Sequence, residues 1–389
     1  MNTNDLRVAL FSGNYNYVRD GANQALNRLV GYLLRQGVKV RVYSPTVAEP
    51  AFPPTGDLVS VPSVAIPGRP EYRLALALPP SVRRDLEDFA PNIVHVSSPD
   101  IVGHRAVTWA RRRKIAVVAS VHTRFETYLE YYHLQSLEPL VRAGLRRFYH
   151  RCEVVLAPAE STALILRAQR MNRNIEIWTR GIDRDQFNPE RRDMEWRRSK
   201  GISDDEMVVA YLGRIVMEKG LDVFADAIHA FAPLGLKHRV LVIGDGPARG
   251  WFEQQLPNAI FTGQQTGTDL ARALASADVF LNPSVTEAFG NVTLEAMACA
   301  LPVIAAVASG TTSLVRPGVT GLLADGTEPD EFAEALAAYA RDPDLRRQHG
   351  AAGLEIARTM DWDTINSAVV RAYKHAIVKR KRLTRMTGR

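Results

Sequence analysis

PSVTEAFGNVTLEAMACALPVIA, residues 283–305, decides how the rest of the chain is read. A short apolar run, Asp278–Asn282, leads into it, and another, Pro302–Ala305, closes it. Between them a turn gives way to a helical pattern that begins near Asn291. Strand, turn, helix and strand in one short stretch is the repeating unit of a parallel sheet. Glu287 then falls in the loop at the strand's C-terminal end, where doubly wound sheets bind ligands. Glu295 falls about one turn into the helix, on the side that can face the same place. Between the two carboxylates, the backbone N–H groups of Phe289, Gly290, Asn291 and Val292 point outward with the positive end of the helix dipole. That is an anion site flanked by two acids. Carboxylates accept hydrogen bonds from sugar hydroxyls, and the amides suit a diphosphate. Two glutamates at this spacing arise readily by chance as surface residues of a helix; the strand–turn–helix setting is what gives them weight.

Working outward, short apolar runs alternate with helical patterns along the whole chain. Six runs lie in the first half, from Arg7–Ser12 to Ile175–Trp178, and six in the second, from Met207–Gly213 to Gly321–Ala324. The alternation predicts an α/β fold of two tandem Rossmann-like, doubly wound domains with a cleft between them, containing about twelve strands. The boundary is expected at the turn-rich GIDRDQFNP, giving domains 1–180 and 181–363. A last helix at about 364–378 is expected to cross back to the first domain, followed by a basic tail, 379–389.

The strand ends supply further candidates. YLGRIVMEKGLD, residues 211–222, sets Arg214 and Lys219 around one strand end, a bidentate fork and a point charge suited to one anion. His122 follows the run that starts at Ala116. FSGNYNYVRDG, residues 11–21, offers a flexible turn through Gly13, Asp20 and Gly21. Neither this turn nor Gly244–Pro247 completes the dinucleotide fingerprint GxGxxG, which argues against a dehydrogenase with two Rossmann domains.

Composition narrows the setting. The 389 residues are 46% hydrophobic and 23% charged, as in ordinary globular proteins. No stretch reaches the roughly 18 apolar residues of a spanning helix, and the N-terminus carries no secretory pattern. Cys152 and Cys299, the only cysteines, sit far apart in apolar contexts and read as reduced. A cytoplasmic protein is expected. Residues 1–180 hold 24 Lys and Arg against 15 Asp and Glu, residues 181–378 hold 19 against 27, and the tail adds six basic residues. A basic half and a basic tail suit an anionic surface. Nucleic acid is disfavoured, because no RNA-binding motif accompanies the charge and the second half is acidic.

GRIVMEKG (213–220), VIGDGP (242–247), TEAFGNVTLEAMA (286–298) and WTRGIDRDQFNP (178–189) resemble the retaining family-4 glycosyltransferases of the GT-B fold, in the expected order over nearly the whole chain. The opening FSGNYNYVRDG and TEAFGNV look most like members that glycosylate lipids: sulfoquinovosyl, mannosyl and glucuronosyl transferases acting on diacylglycerol or ceramide. The resemblance implies a nucleotide-sugar co-substrate and no resident cofactor or metal. It implies that Arg214 and Lys219 hold the diphosphate and that Glu295 binds the ribose hydroxyls. Glu287, with the amides of Phe289, Gly290 and Asn291, would bind the donor sugar, and His122 would hydrogen-bond a sugar hydroxyl. The loop at Gly21 would approach the phosphates; Ala22 stands where many members have a second glycine. An acidic sugar would call for one more cation, with Arg180 and Arg124 as candidates.

Three Asp-x-Asp pairs, Asp183/Asp185, Asp342/Asp344 and Asp361/Asp363, resemble a metal motif but fall where aspartate caps turns and helices. On the acceptor side, PLVRAGLRRFYHR (139–151) reads as a basic amphipathic helix with Arg142, Arg146 and Arg147, fit for a membrane surface. Phe125, Tyr128, Tyr131 and Tyr132 just before it are candidates for an acceptor groove. Peripheral attachment at the cytosolic face and a lipid acceptor follow as expectations. A soluble acceptor shares every donor motif and stays open.

Overall fold

The computed structural model describes residues 2–18, 20–66, 69–122, 135–287, 289–308 and 310–387. The chain divides into two compact units, Met1–Arg180 with Trp362–Arg389, and Gly181–Asp361.

The first unit contains β1 (Arg7–Phe11), β2 (Lys39–Ser44), β3 (Asp57–Ser60), β4 (Ser63–Ile66), β5 (Arg69–Ala75), β6 (Ile93–Val96), β7 (Ala116–Ser120), β8 (Val154–Ala157) and β9 (Ile175–Ile177). Seven of them form one parallel sheet in the order β3-β2-β1-β6-β7-β8-β9, while β4 and β5 form a separate antiparallel hairpin. In register, Leu10 lies opposite Val42 on one side and His95 on the other. The central strands are buried on both faces, which is why they stand out in the sequence as predominantly apolar runs. One face packs Phe11, Val94, Val117 and Val155 against Leu86, Val107 and Phe148, and the other packs Val8, Leu10 and Val118 against Leu26, Leu29 and Tyr373.

The second unit contains β10 (Met207–Leu212), β11 (His238–Ile243), β12 (Ile260–Phe261), β13 (Val279–Asn282), β14 (Val303–Ala306) and β15 (Gly321–Ala324), all parallel in the order β12-β11-β10-β13-β14-β15. The strand order reverses direction between β10 and β13, so the loops after these two strands open at the switch point where such sheets bind ligands. Helices cover both sheets, and the two-Rossmann expectation holds.

Two expectations need correction. Among the described residues the strands number fifteen, because residues 57–75 add β3 and the hairpin. Pro62, Pro67 and Pro70 make that stretch read as turns. Proline is tolerated there because neither hairpin strand has an outer neighbour, and side chains such as Val64 stay half exposed. The final helix runs Trp362–Thr387 and does not stop at Val378. The lysines and arginines of the tail favour helix, and two of them are engaged in packing. Lys379 donates to the Glu153 carbonyl (3.1 Å), and Arg380 pairs with the buried Glu153 carboxylate at 2.6 Å.

Candidate active site

In the second unit the site is built from loops stapled to one another. β13 ends at Asn282, whose buried amide donates to Thr293 Oγ1 (3.2 Å) in the first turn of the helix Asn291–Ala298. The same side chain accepts from the Ser284 N–H (3.2 Å), tying strand end, turn and helix together. Gly290 precedes the helix with φ +94°, and no side chain caps it. The first intrahelical bond is Leu294 N–H to Gly290 O, so the amides before it have no partner within the helix. Nearby, the Asn291 Oδ1 is buried with no hydrogen-bond partner among the described residues.

Beyond β10, the turn Met217–Lys219 is fixed from two sides. Gly220, at φ +72°, lies against Pro283, and Thr286 Oγ1 donates to the Glu218 carbonyl (3.3 Å). These contacts bring Lys219 beside Glu287, and their side chains pair at 2.7 Å, largely shielded from water. Arg214 stands on the same strand-end loop, with its carbonyl held by Tyr211 Oη (3.0 Å). The Glu287 backbone is clamped in turn by the Gly310 N–H, 2.9 Å from its carbonyl.

Glu295 is partly buried, and no hydrogen bond or ion pair of its carboxyl is found among the described residues. Removal from water pushes this carboxyl up to about 8. The folded state therefore holds a proton that the unfolded state, near 4.5, has lost. Stability from this group is full below about pH 4.5 and falls as pH rises toward 8. Glu295→Gln should accordingly gain thermal stability over the parent at pH 8.5 while matching it at pH 5. Parallel melting curves across that range would sink the idea.

In the first unit, His122 lies two residues past β7 with both ring nitrogens engaged. Arg180 Nη2 meets Nδ1 at 2.9 Å, and Ser120 Oγ meets Nε2 at 2.8 Å. Ser120 Oγ also reaches His95 Nε2 (3.0 Å), whose Nδ1 meets Tyr373 Oη (2.7 Å). A guanidinium only donates, so His122 Nδ1 must accept. Burial, with Arg180 next, holds the His122 ring well below its ordinary pKa and hence neutral. Its proton then sits on Nε2 and is given to Ser120, which donates to His95, which donates to Tyr373. Burial pushes His95 down to about 3, in keeping with a neutral link. For the His122 ring to bond a sugar hydroxyl, one of its two protein partners must be released. Sequence reading missed His95, Ser120 and Tyr373; the one signal was a histidine inside the otherwise apolar strand IVHV.

Gly21 is not in a loop but is the first residue of the helix Gly21–Arg35, with Asp20 capping the Asn23 N–H (2.8 Å). Asp342 caps a helix likewise, Asp183 accepts from the Gln186 N–H, and Asp363 pairs with Arg35. In the helix Glu138–Tyr149, Leu145, Phe148 and Tyr149 are buried, while Leu140, 72% exposed, and Arg146 and Arg147 further along are exposed. Arg142 is paired with Glu138. Phe125, Tyr128, Tyr131, Tyr132 and Arg124 lie outside the described residues. Among the described residues no helix is long and apolar enough to cross a membrane.

Comparison with known proteins bears on this geometry. Residues 206–342 match the family described as Glycosyl transferases group 1, and residues 19–186 match Glycosyltransferase Family 4. A GDP-mannose-dependent alpha-mannosyltransferase of Mycolicibacterium smegmatis is 31% identical over 383 residues, covering 96% of this chain and 99% of that one. A sulfoquinovosyl transferase of Arabidopsis thaliana is 29% identical over 366 residues, covering 92% and 71%. A D-inositol 3-phosphate glycosyltransferase of Actinosynnema mirum is 36% identical over 214 residues, half of each chain. Among solved structures, sucrose-phosphate synthase of Thermosynechococcus elongatus superposes with a TM-score of 0.76 at 20% identity, covering 96% of this chain and 99% of that one. HepE of Anabaena in complex with UDP-glucose does so with 0.74 at 18%, covering 94% and 99%.

Proposed function

The chain belongs to the family-4, group 1 glycosyltransferases, with the two Rossmann-like sheets of the GT-B fold, and from this membership we propose the reaction in finer terms. The enzyme moves a hexose or uronic acid from a nucleotide diphosphate sugar, UDP-linked in preference to GDP-linked, to a membrane lipid such as diacylglycerol or ceramide. It retains the anomeric configuration and needs neither metal nor cofactor. It works from the cytoplasm at the membrane surface.

The observation that carries the donor side is the juxtaposition of Lys219, Glu287 and the uncapped helix start at Asn291, all at the strand ends of one sheet. Breaking the anomeric bond drives negative charge onto the leaving diphosphate. Lys219, Arg214 and the helix amides are preorganised donors for that charge, and stabilisation of this kind usually contributes most to lowering such a barrier. Glu287, held at 2.7 Å from Lys219, has its side chain fixed for sugar hydroxyls. Glu295, one turn deeper, accepts from the ribose. No nucleophilic side chain is needed if the donor phosphate itself takes the acceptor's proton on the same face.

The uridine preference draws on HepE, a protein of like fold that binds UDP-glucose; the mannosyltransferase relative supplies the competing GDP donor. The lipid acceptor draws on the sulfoquinovosyl transferase relative and on the helix Glu138–Tyr149, which carries exposed Leu140 and, about two turns on, exposed Arg146 and Arg147. Each such cation near an anionic leaflet adds about 1 kcal/mol of attraction. The inositol-phosphate relative favours a second reading, a water-soluble acceptor.

Purified protein incubated in EDTA with a panel of UDP- and GDP-sugars, with and without lipid vesicles, tests the whole proposal by mass spectrometry of products. A new glycolipid of retained configuration from a UDP-sugar is expected. Donor hydrolysis without glycolipid would shift the acceptor to the second reading. Activity restored only by Mn²⁺ would overturn the metal-free mechanism.

A further inference from the structure

The helix Trp362–Thr387 belongs to the first unit, and its surroundings change along its length. Up to Ile377 one side is buried, with Val369, Ala372, Tyr373 and Ala376 packed on the sheet. At Lys379 and Arg380 the helix is pinned to Glu153, the residue before β8. From Lys381 to Met386 no side chain is buried. These turns carry the helix about 10 Å past the last pinned residue.

The pinning point is itself short of negative charge. Arg111 and Arg151 gather there with Lys379 and Arg380, Arg111 donating to the Arg151 carbonyl (3.0 Å) and Arg151 to Thr108 Oγ1 (2.6 Å). Among the described residues these four cations share one ion pair, Arg380 with Glu153. Burial pushes the Glu153 carboxyl up, against the Val117 amide and the charges of Arg380 and Arg111. Further on, the charge is wholly of one sign. Residues 364–387 hold seven Lys and Arg and no acid, so no ion pair along the helix supports its exposed turns. Lys381, Arg382 and Arg385 meet no carboxylate among the described residues.

Cations stabilise a helix C-terminus through its dipole, but that explains the charge alone. On the same turns Val378, Leu383 and Met386 are 48%, 41% and 78% exposed. Val378, Arg382 and Met386 follow at intervals of four, and Leu383 stands three before Met386. They share one side of the helix, with Lys381 and Arg385 along its edge. Nucleic acid would be met by charge together with stacking aromatic rings, and the nearest aromatic of this helix, Tyr373, is buried. Cations beside exposed aliphatic side chains match a bilayer interface, where lysine and arginine reach phosphates while apolar side chains enter the acyl boundary.

We propose that the turns from Val378 to Met386 are a docking surface for an anionic lipid bilayer, with Lys381, Arg382 and Arg385 on the head groups and Val378, Leu383 and Met386 dipping below them. This rests on the membrane-surface reading above and names a surface that makes the contact. It involves the first unit alone and holds for either class of acceptor.

Co-sedimentation of the full chain with phosphatidylcholine vesicles, with and without phosphatidylglycerol, tests this. The parent should bind the anionic vesicles and be released by salt. Lys381→Gln/Arg382→Gln/Arg385→Gln should weaken that binding on the order of 10²-fold. Met386→Ser, which leaves the charge unchanged, should weaken it roughly tenfold. Circular dichroism should show both variants folded like the parent, because every substituted side chain is exposed. Parent-level vesicle binding by both variants would overturn the inference and leave the membrane-surface reading to the helix Glu138–Tyr149. Failure of the parent to bind anionic vesicles would remove that reading, and this inference with it. A loss in the triple variant with none in Met386→Ser, matched by an equal loss of binding to a DNA duplex, would assign a polyanion partner and overturn the inference.

Discussion

Lys219→Ala lowers kcat/KM for glycosyl transfer on the order of 10²- to 10³-fold, the range seen when one preorganised donor to a developing oxyanion is removed. The lysine is not a free surface cation: Thr286 and Gly220 fix its turn, and Glu287 holds its ammonium at 2.7 Å. Its charge therefore costs no reorganisation when the diphosphate departs. Removal also leaves Glu287 without its cation in a shielded position, so the acid that addresses the sugar is disturbed as well. Because the two act as a unit, Lys219→Ala/Glu287→Ala should cost little more than either single change, well short of the product of the two. Steady-state kinetics of the three variants decide this. Multiplicative losses would show that the pair is incidental, and a loss under about tenfold for Lys219→Ala would remove it from transition-state stabilisation.

Gly244→Ala should unfold the second unit more readily than any surface change. Gly244 has φ +146°, and an added Cβ would stand 1.9 Å from the Gly213 carbonyl oxygen. No flexible side chain can yield there, since the obstacle is the backbone of the neighbouring strand end. Overpacking together with backbone strain amounts to about 3 kcal/mol or more, or roughly a 10 °C fall in Tm for a unit of this size. Relief would push Gly213 and Arg214 out of place, so nucleotide affinity should fall with stability. Melting followed by circular dichroism checks the first effect and calorimetry the second. An unchanged Tm would mean that the two strand ends are looser than their contact implies.

The sheets were legible because their strands are buried on both faces. Val154–Ala157 and Met207–Leu212 could hardly be anything else, and the loops that follow such strands are where ligands bind. β4 and β5 escaped notice because half-exposed strands need no apolar run. The proposed anion site rests on local order, Glu287 to Asn291 to Glu295, which the sequence already displays. The pairing of Lys219 with Glu287 is not so displayed, because it depends on a hydroxyl, Thr286, reaching a carbonyl on a different loop. The relay from Tyr373 to Arg180 was hidden for a similar reason. Its members come from four separate segments, Ser120 and His122 sharing one, and only the fold brings them into line. The tail misled because basic charge suggests solvent, whereas a buried acid, Glu153, claims Arg380.

The helix Trp362–Thr387 completes the first unit, yet 181 residues of the second lie between it and Arg180. During synthesis the first sheet therefore leaves the ribosome with one face covered only in part, by the helix Gly21–Arg35. Leu10, Val118 and Leu26 wait for Val369, Tyr373 and Ala376 while the intervening residues are made, roughly 10–40 s at ordinary elongation rates. The second unit, contiguous in the chain, can finish first. Order of folding thus runs opposite to order of translation, and the nascent first sheet is the stage at which a holding chaperone has most to do.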